Sequence, residues 1–286
     1  MRSMPTRQGR IADRRWLLAS TKNIYYNALC LPLSFAMTSK PKVLLFDIGG
    51  VCVVSPFKAI LEYEQRHNIP TGYINYSIRE LTPNGAWHKL ERGDIANDST
   101  FMSMWKSDIE RPDVWAKFNH EKLGKREAPP VPNVDTESLY WTMMGTARAN
   151  DPFMYPALVR LKAAGWKLAA MSNTTIYPEG HPFNEKGPDD VRELFDIFVS
   201  SAHVGMRKPN RDIYEYTLGK IREQWGDDIQ PNDVLFLDDI GENLKMGKKV
   251  GFRTIRVFLG KTDDAVRELE QATGEQLLEV AAKARL

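Results

Sequence analysis

Residues 43–54 read VLLFDIGGVCVV. The apolar run from Val43 to Phe46 stops at Asp47, and Gly49-Gly50 follow at once. An unbroken apolar run of this length predicts a strand buried on both faces, as in parallel sheets. A carboxylate where such a strand stops, ahead of a glycine turn, lies at the carboxyl edge of the sheet. Open α/β sheets bind ligands there. Alone, an Asp in this place is more often a turn former or helix cap.

The pattern recurs downstream. Lys167 to Met171 predicts a short strand ending in Ser172-Asn173, and Val234 to Leu237 one ending in Asp238-Asp239. Val199 to Met206 leads to Arg207-Lys208-Pro209, and Thr254 to Phe258 predicts a last strand. Between them, Pro156 suits the first turn of a helix through Leu158 and Leu161 that Gly165 stops. Asp189 or Asp190 caps Val191 to Phe198, Asn210 caps a helix through Tyr214, Leu218 and Ile221, and Glu242 to Val250 predicts another. Strands alternating with helices imply a parallel α/β sheet with right-handed crossovers.

Residues 57–149 break the alternation and predict a helical insertion. Phe57 to His67 carries apolar residues at helical spacing. Ser99 can cap a helix holding Phe101, Met104 and Trp105, and Asp135 opens another with Leu139, Tyr140 and Met143. Of the seven tryptophans, Trp87, Trp105, Trp115 and Trp141 lie here, and Trp166 just beyond. They are expected to fill a small all-helical core; the alternative is that some face a substrate pocket roofed by this insertion. The stretch AWHKLERGDI is the part expected to reach a ligand, through His88 or Arg92.

Charge is placed unevenly. Residues 1–36 hold six basic residues and one acid, leaving 33 basic and 36 acidic residues elsewhere. So mild an acidic excess argues against nucleic-acid binding, which leaves a basic face. Cys30 and Cys52 make no disulfide framework and suit a reducing compartment. The leader, residues 1–40, has the Arg-rich, acid-poor composition of a mitochondrial transit peptide. The competing reading is a cytoplasmic protein with a disordered leader, or one starting at Met37. The apolar piece from Ala28 to Met37 is too short to span a membrane.

Asp47, Ser172, Lys208 and Asp238-Asp239 thus meet at one sheet edge. Converging carboxylates repel unless a cation joins them, and an all-oxygen ligand set suits Mg²⁺. Mg²⁺ and Lys208 would offset the repulsion between Asp47 and a phosphate dianion. Ser172 and the amides beside it can hold the remaining phosphate oxygen. Asp47 can then attack phosphorus to give an aspartyl-phosphate, which water hydrolyses.

DIGGV at Asp47, MSN with Ser172-Asn173, GMRKP with Lys208 and FLDDIGENLK with Asp238-Asp239 resemble the four motifs of the haloacid dehalogenase superfamily. VGMRKPNRDIY and FLDDIGENLKMGKKVGF are similar to the N-terminal phosphatase domain of soluble epoxide hydrolases and to the domain fused ahead of certain acyl-CoA dehydrogenases. The resemblance implies a Rossmann-like core (41–56 and 150–286) with residues 57–149 as an all-helical C1 cap. It also implies Asp47 as nucleophile, and Ser172, Asn173 and Lys208 as phosphate ligands. Asp239 would be the main Mg²⁺ ligand, with Asp238, Asp47 and the Gly49 carbonyl. The expected substrate is a small phosphomonoester, with no nucleic-acid or membrane partner.

One position departs from the pattern. Phosphatases of this superfamily usually carry an Asp two residues after the nucleophile as general acid, and here Gly49 stands there. General acid catalysis contributes roughly 10²–10⁴-fold. That leaves a phosphatase first, and a weakly active or inactive protein that binds a ligand or partner second. A dehalogenase is third, because it needs no acidic pair. Two further stretches are set aside: GENLKMGK has the wrong glycine spacing for a P-loop, and His181-Pro182 reads as a surface loop.

Overall fold

The computed structural model describes residues 39–279. The leader and Cys30 lie outside the described residues, apart from Ser39 and Lys40. Five parallel strands form one sheet: β1 (Val43–Phe46), β2 (Lys167–Ser172), β3 (Ile197–Ser200), β4 (Val234–Asp238) and β5 (Arg253–Arg256). Their order is β3-β2-β1-β4-β5, so the strand with the first apolar run lies at the centre.

Side-chain alternation along each strand builds two core layers. Leu44, Phe46, Leu168, Ala170, Leu235 and Leu237 pack on one face with α7 (Met154–Ala163) and α11 (Thr262–Thr273). Val43, Leu45, Ala169, Met171, Val234 and Phe236 pack on the other with α9 (Arg211–Trp225) and α10 (Gly241–Val250). Burial on both faces is why these strands read as continuous apolar runs.

Seven helices lie between β1 and β2, and the six ahead of α7 are α1 (Phe57–Arg66), α2 (Tyr73–Glu80), α3 (Ala86–Glu91), α4 (Ser99–Ile109), α5 (Pro112–Leu123) and α6 (Thr136–Thr146). They gather around their own apolar cluster, which includes Trp87, Trp105 and Trp115 but no strand residue. Tyr73 meets both Trp115 and Phe118 edge to face there, as aromatic quadrupoles favour.

Several local expectations are corrected. Asp98, not Ser99, caps α4, its carboxylate accepting from the Thr100 and Phe101 amides. Asp190 caps only the short turn Val191–Leu194, and the chain then enters β3, where apolar Ile197 and Val199 favour the sheet. Asn210 occupies the cap position of α9 without a side-chain bond to the helix. Lys208 follows a short helix, α8 (Ser201–Val204), rather than a strand. The helix expected from Glu242 to Val250 forms as α10, and GENLKMGK lies within it. His181-Pro182 lies in a mostly exposed loop, as expected, and the His181 ring stacks on Trp141 with centroids 4.4 Å apart.

Candidate active site

Strand register brings the carboxylates together. Phe46 pairs with Leu237, and the Asp47 amide donates to the Leu237 carbonyl at 2.9 Å. Asp47 and Asp238, the next residue on each strand, therefore leave the sheet edge as neighbours. Ser172 ends β2 on the other side of β1, paired with Ser200 of β3.

Lys208 is buried between two acids, with Nζ 2.8 Å from Asp47 Oδ1 and 2.7 Å from Asp238 Oδ2. Burial lowers the affinity of its amine for a proton, but the carboxylates of Asp238 and Asp47 outweigh burial and hold its pKa above the ordinary value. Lys208 is therefore charged at neutral pH. Asp47 Oδ1 also accepts from the Ile48 amide at 2.7 Å. The Cys52 thiol donates to the Asp47 carbonyl at 3.1 Å, fixing the turn behind it.

Asp238 accepts several hydrogen bonds. Besides Lys208, the Ile240 amide donates to Oδ1 at 2.8 Å, and Asn243 Nδ2 lies 3.0 Å from both carboxylate oxygens. Asn243 is held in turn by Tyr214, whose hydroxyl donates to its carbonyl at 2.9 Å.

Asp239 is the opposite case. Its Oδ1 is buried with no hydrogen-bond partner. Burial, with Asp47 and Asp238 adding repulsion, pushes its pKa up to about 8. One carboxylate oxygen from each of Asp47, Asp238 and Asp239 lies within 4.8 Å of the other two. An unpartnered buried carboxylate in such a cluster fits a divalent cation, which oxygen ligands of this kind hold well. Gly50 makes the approach possible: φ is +80°, and a Cβ there would lie 2.6 Å from Asp239 Oδ2.

A cavity of about 1240 Å³ lies here between the sheet edge and helices α1, α2, α3 and α6. Asp47, Gly49, Ser172, Asn173, Lys208 and Asp239 are on its wall, and so is His88. Apolar side chains contribute much of the rest, among them Phe57, Ile78, Trp87, Met144, Tyr177 and Phe183. The Ser172 hydroxyl has one long contact, 3.5 Å to the Asn173 carbonyl. The Asn173 amide is committed to the main chain of Lys208, donating to its carbonyl at 3.1 Å and accepting from its N–H at 2.8 Å. That side chain positions Lys208, so a phosphate would meet Asn173 through its main chain.

Arg92 is not on the cavity wall. Its guanidinium is bound to Asp94 and to the Pro83 carbonyl, so the expectation that it reaches a ligand is corrected. His88 is buried, with Nε2 3.0 Å from Thr82 Oγ1. Burial, aided by Arg207 and Arg92, lowers its pKa to about 4, so the ring is neutral at physiological pH.

The sequence reading passed over Glu91, Arg207 and Asn243. Asn243 lies on the first turn of the helix that follows the acidic pair, where a side chain can turn back to the strand end. Glu91 and Arg207 carried no comparable signal, since their partnership spans 116 residues.

A family model described as a haloacid dehalogenase-like hydrolase matches residues 41–251. Acyl-CoA dehydrogenase family member 10 of Mus musculus is 27% identical over 82% of this chain and 19% of its own length. Bifunctional epoxide hydrolase 2 of Sus scrofa is 27% identical over 84% of this chain and 40% of its own. The chain thus spans less than half the length of either relative. The sesquiterpene phosphatase astK of Aspergillus oryzae is 29% identical over 82% of this chain and 97% of its own. Among solved structures, an HAD-like family hydrolase from Porphyromonas gingivalis superposes with a TM-score of 0.53 at 18% identity, covering 83% of this chain and all of that one.

Proposed function

The chain belongs to the haloacid dehalogenase-like hydrolase family, and on that footing we propose that it hydrolyses a phosphomonoester through an aspartyl-phosphate on Asp47. The observation that carries this reading is Lys208, buried and charged between Asp47 and Asp238 beside the unpartnered Asp239. A charged lysine in contact with a carboxylate at a cavity wall suits an incoming dianion.

In this reading Lys208 shifts part of its charge from Asp47 to a phosphate oxygen. The Ser172 hydroxyl and the Asn173 main chain hold the remaining oxygens. Both assigned donors to the Asp47 carboxylate fall on Oδ1, which leaves Oδ2 for attack on phosphorus. Asp47, Asp238 and Asp239 would hold Mg²⁺ with the Gly49 carbonyl, and the ion would supply the positive charge that lets anion meet anion. Asn243 keeps Asp238 oriented throughout. Residues 57–149 act as the cap that covers the site and selects the substrate.

The substrate class follows from the wall. A cavity of about 1240 Å³ with many apolar side chains suits a bulky, apolar alcohol esterified to phosphate better than a sugar phosphate. Similarity to a sesquiterpene phosphatase supports the same reading. The test is a comparison of kcat/KM for a prenyl or long-chain alkyl monophosphate against glycerol phosphate, with Mg²⁺ present. A preference of at least tenfold for the apolar ester is expected, and equal values would remove the assignment.

A further inference from the structure

Gly49 leaves the leaving-group oxygen without the usual proton donor, and the cavity wall contains a hydrogen-bonded chain that can replace it. His203 Nδ1 lies 2.6 Å from Ser200 Oγ, and Ser200 Oγ lies 2.5 Å from Thr174 Oγ1. All three residues line the same cavity as Asp47 and Lys208. Ser200 is the register partner of Ser172, one strand over, and Thr174 is two residues past Ser172. The chain therefore ends beside the expected phosphate site. Its other end, His203, is exposed, where it can exchange protons with water.

The positions are fixed by main-chain bonds. The Thr174 amide donates to Ser201 Oγ at 2.8 Å, and that hydroxyl donates to the Glu91 carbonyl at 2.5 Å. His88, the other imidazole identified on the wall, is held neutral by burial and brings no proton at physiological pH.

We propose that His203, Ser200 and Thr174 form a proton relay to the leaving group, a role that rests on the phosphatase reading. As Asp47 bonds to phosphorus and the ester P–O bond breaks, the departing oxygen takes the Thr174 hydroxyl proton. Thr174 takes the Ser200 proton, and Ser200 takes the Nδ1 proton of the His203 imidazolium, which becomes neutral. When water then attacks the aspartyl-phosphate, its proton returns along the chain to His203. Thr174 is the group that meets substrate; His203 acts through it.

The test is a leaving-group series on the full-length protein with Mg²⁺, from p-nitrophenyl through phenyl to alkyl phosphates. It compares wild type with His203→Gln and Thr174→Val. A relay predicts that both substitutions steepen the dependence of log kcat/KM on leaving-group pKa. The loss should be on the order of 10²-fold or more for alkyl phosphates, within the range of general acid catalysis, and should shrink toward p-nitrophenyl phosphate. A loss uniform across the series, or none, overturns the relay while leaving the phosphatase standing. No turnover of p-nitrophenyl phosphate by the wild type overturns the phosphatase reading, and the relay with it.

Discussion

The Arg207 guanidinium donates twice to Glu91 Oε2, at 2.7 Å from Nε and 2.6 Å from Nη2. Arg207 precedes Lys208, and Glu91 ends α3, so the pair ties the helical layer to the loop that carries the buried lysine. Both side chains are nearly buried, 12% and 10% exposed. Burial pushes the Glu91 carboxyl up, and Arg207 pulls it back only in part. The contact continues at Gly93, where φ is +70° and a Cβ would lie 2.3 Å from the Ala202 carbonyl.

Breaking that pair from one side leaves a buried charge uncompensated. Glu91→Ala is expected to lower unfolding free energy by about 3–5 kcal/mol, the range for an orphaned buried partner. Glu91→Ala with Arg207→Met should cost less than the two single substitutions added together. Denaturant unfolding of the four proteins checks this, and additive costs would show that the two residues do not act as a pair.

Asp239 gives the metal prediction. One oxygen of its carboxylate is buried without a partner, beside two other acids. Asp239→Asn should therefore raise the melting temperature in the presence of a chelator, because it removes a group whose charge is penalised by burial and by two neighbouring acids. Mg²⁺ at a hundred times its dissociation constant stabilises a folded state by roughly 2.7 kcal/mol. Wild type should show a rise of that order on adding the ion, and Asp239→Asn little or none. Thermal melts with chelator and with Mg²⁺ separate the two effects.

His88 predicts a pH dependence. Its pKa of about 4 in the folded chain lies below the ordinary 6.5, with burial as the main cause. Between those values the unfolded chain binds a proton that the folded one does not. Stability therefore falls as pH drops from 6.5 to 4 and is regained as pH rises through the same window. The size is at most about 3 kcal/mol. Melting curves across the window should show a smaller fall in His88→Asn than in wild type. Equal falls would contradict the assignment.

What could be read from the sequence divides along physical lines. The central strands were legible because burial on both faces leaves an unbroken apolar signature, as in Val43–Phe46 and Val234–Leu237. The acids at their ends followed from strand topology alone, and register then set Asp47 beside Asp238. The edge strand β3 was harder to place: Ile197 and Phe198 are only partly buried, and Asp190 ahead of them resembles a helix cap. Arg92 was misplaced because a charged side chain on a helix end gives no sign of its partner, and Asp94 lay close enough to claim it. Contacts that join distant segments, Glu91 to Arg207 and Trp141 to His181, leave no local pattern at all.

The most direct test of the central claim is hydrolysis of p-nitrophenyl phosphate by the full-length chain and by Asp47→Asn, each with and without Mg²⁺. The substrate's leaving group needs little help from an acid, so the substitution at Gly49 does not obscure the result. Turnover that requires Mg²⁺ and is lost in Asp47→Asn by at least about 10³-fold is expected, as for removal of a nucleophile. Turnover that survives in Asp47→Asn, or that is absent from the wild type while Mg²⁺ still raises its melting temperature, would contradict it.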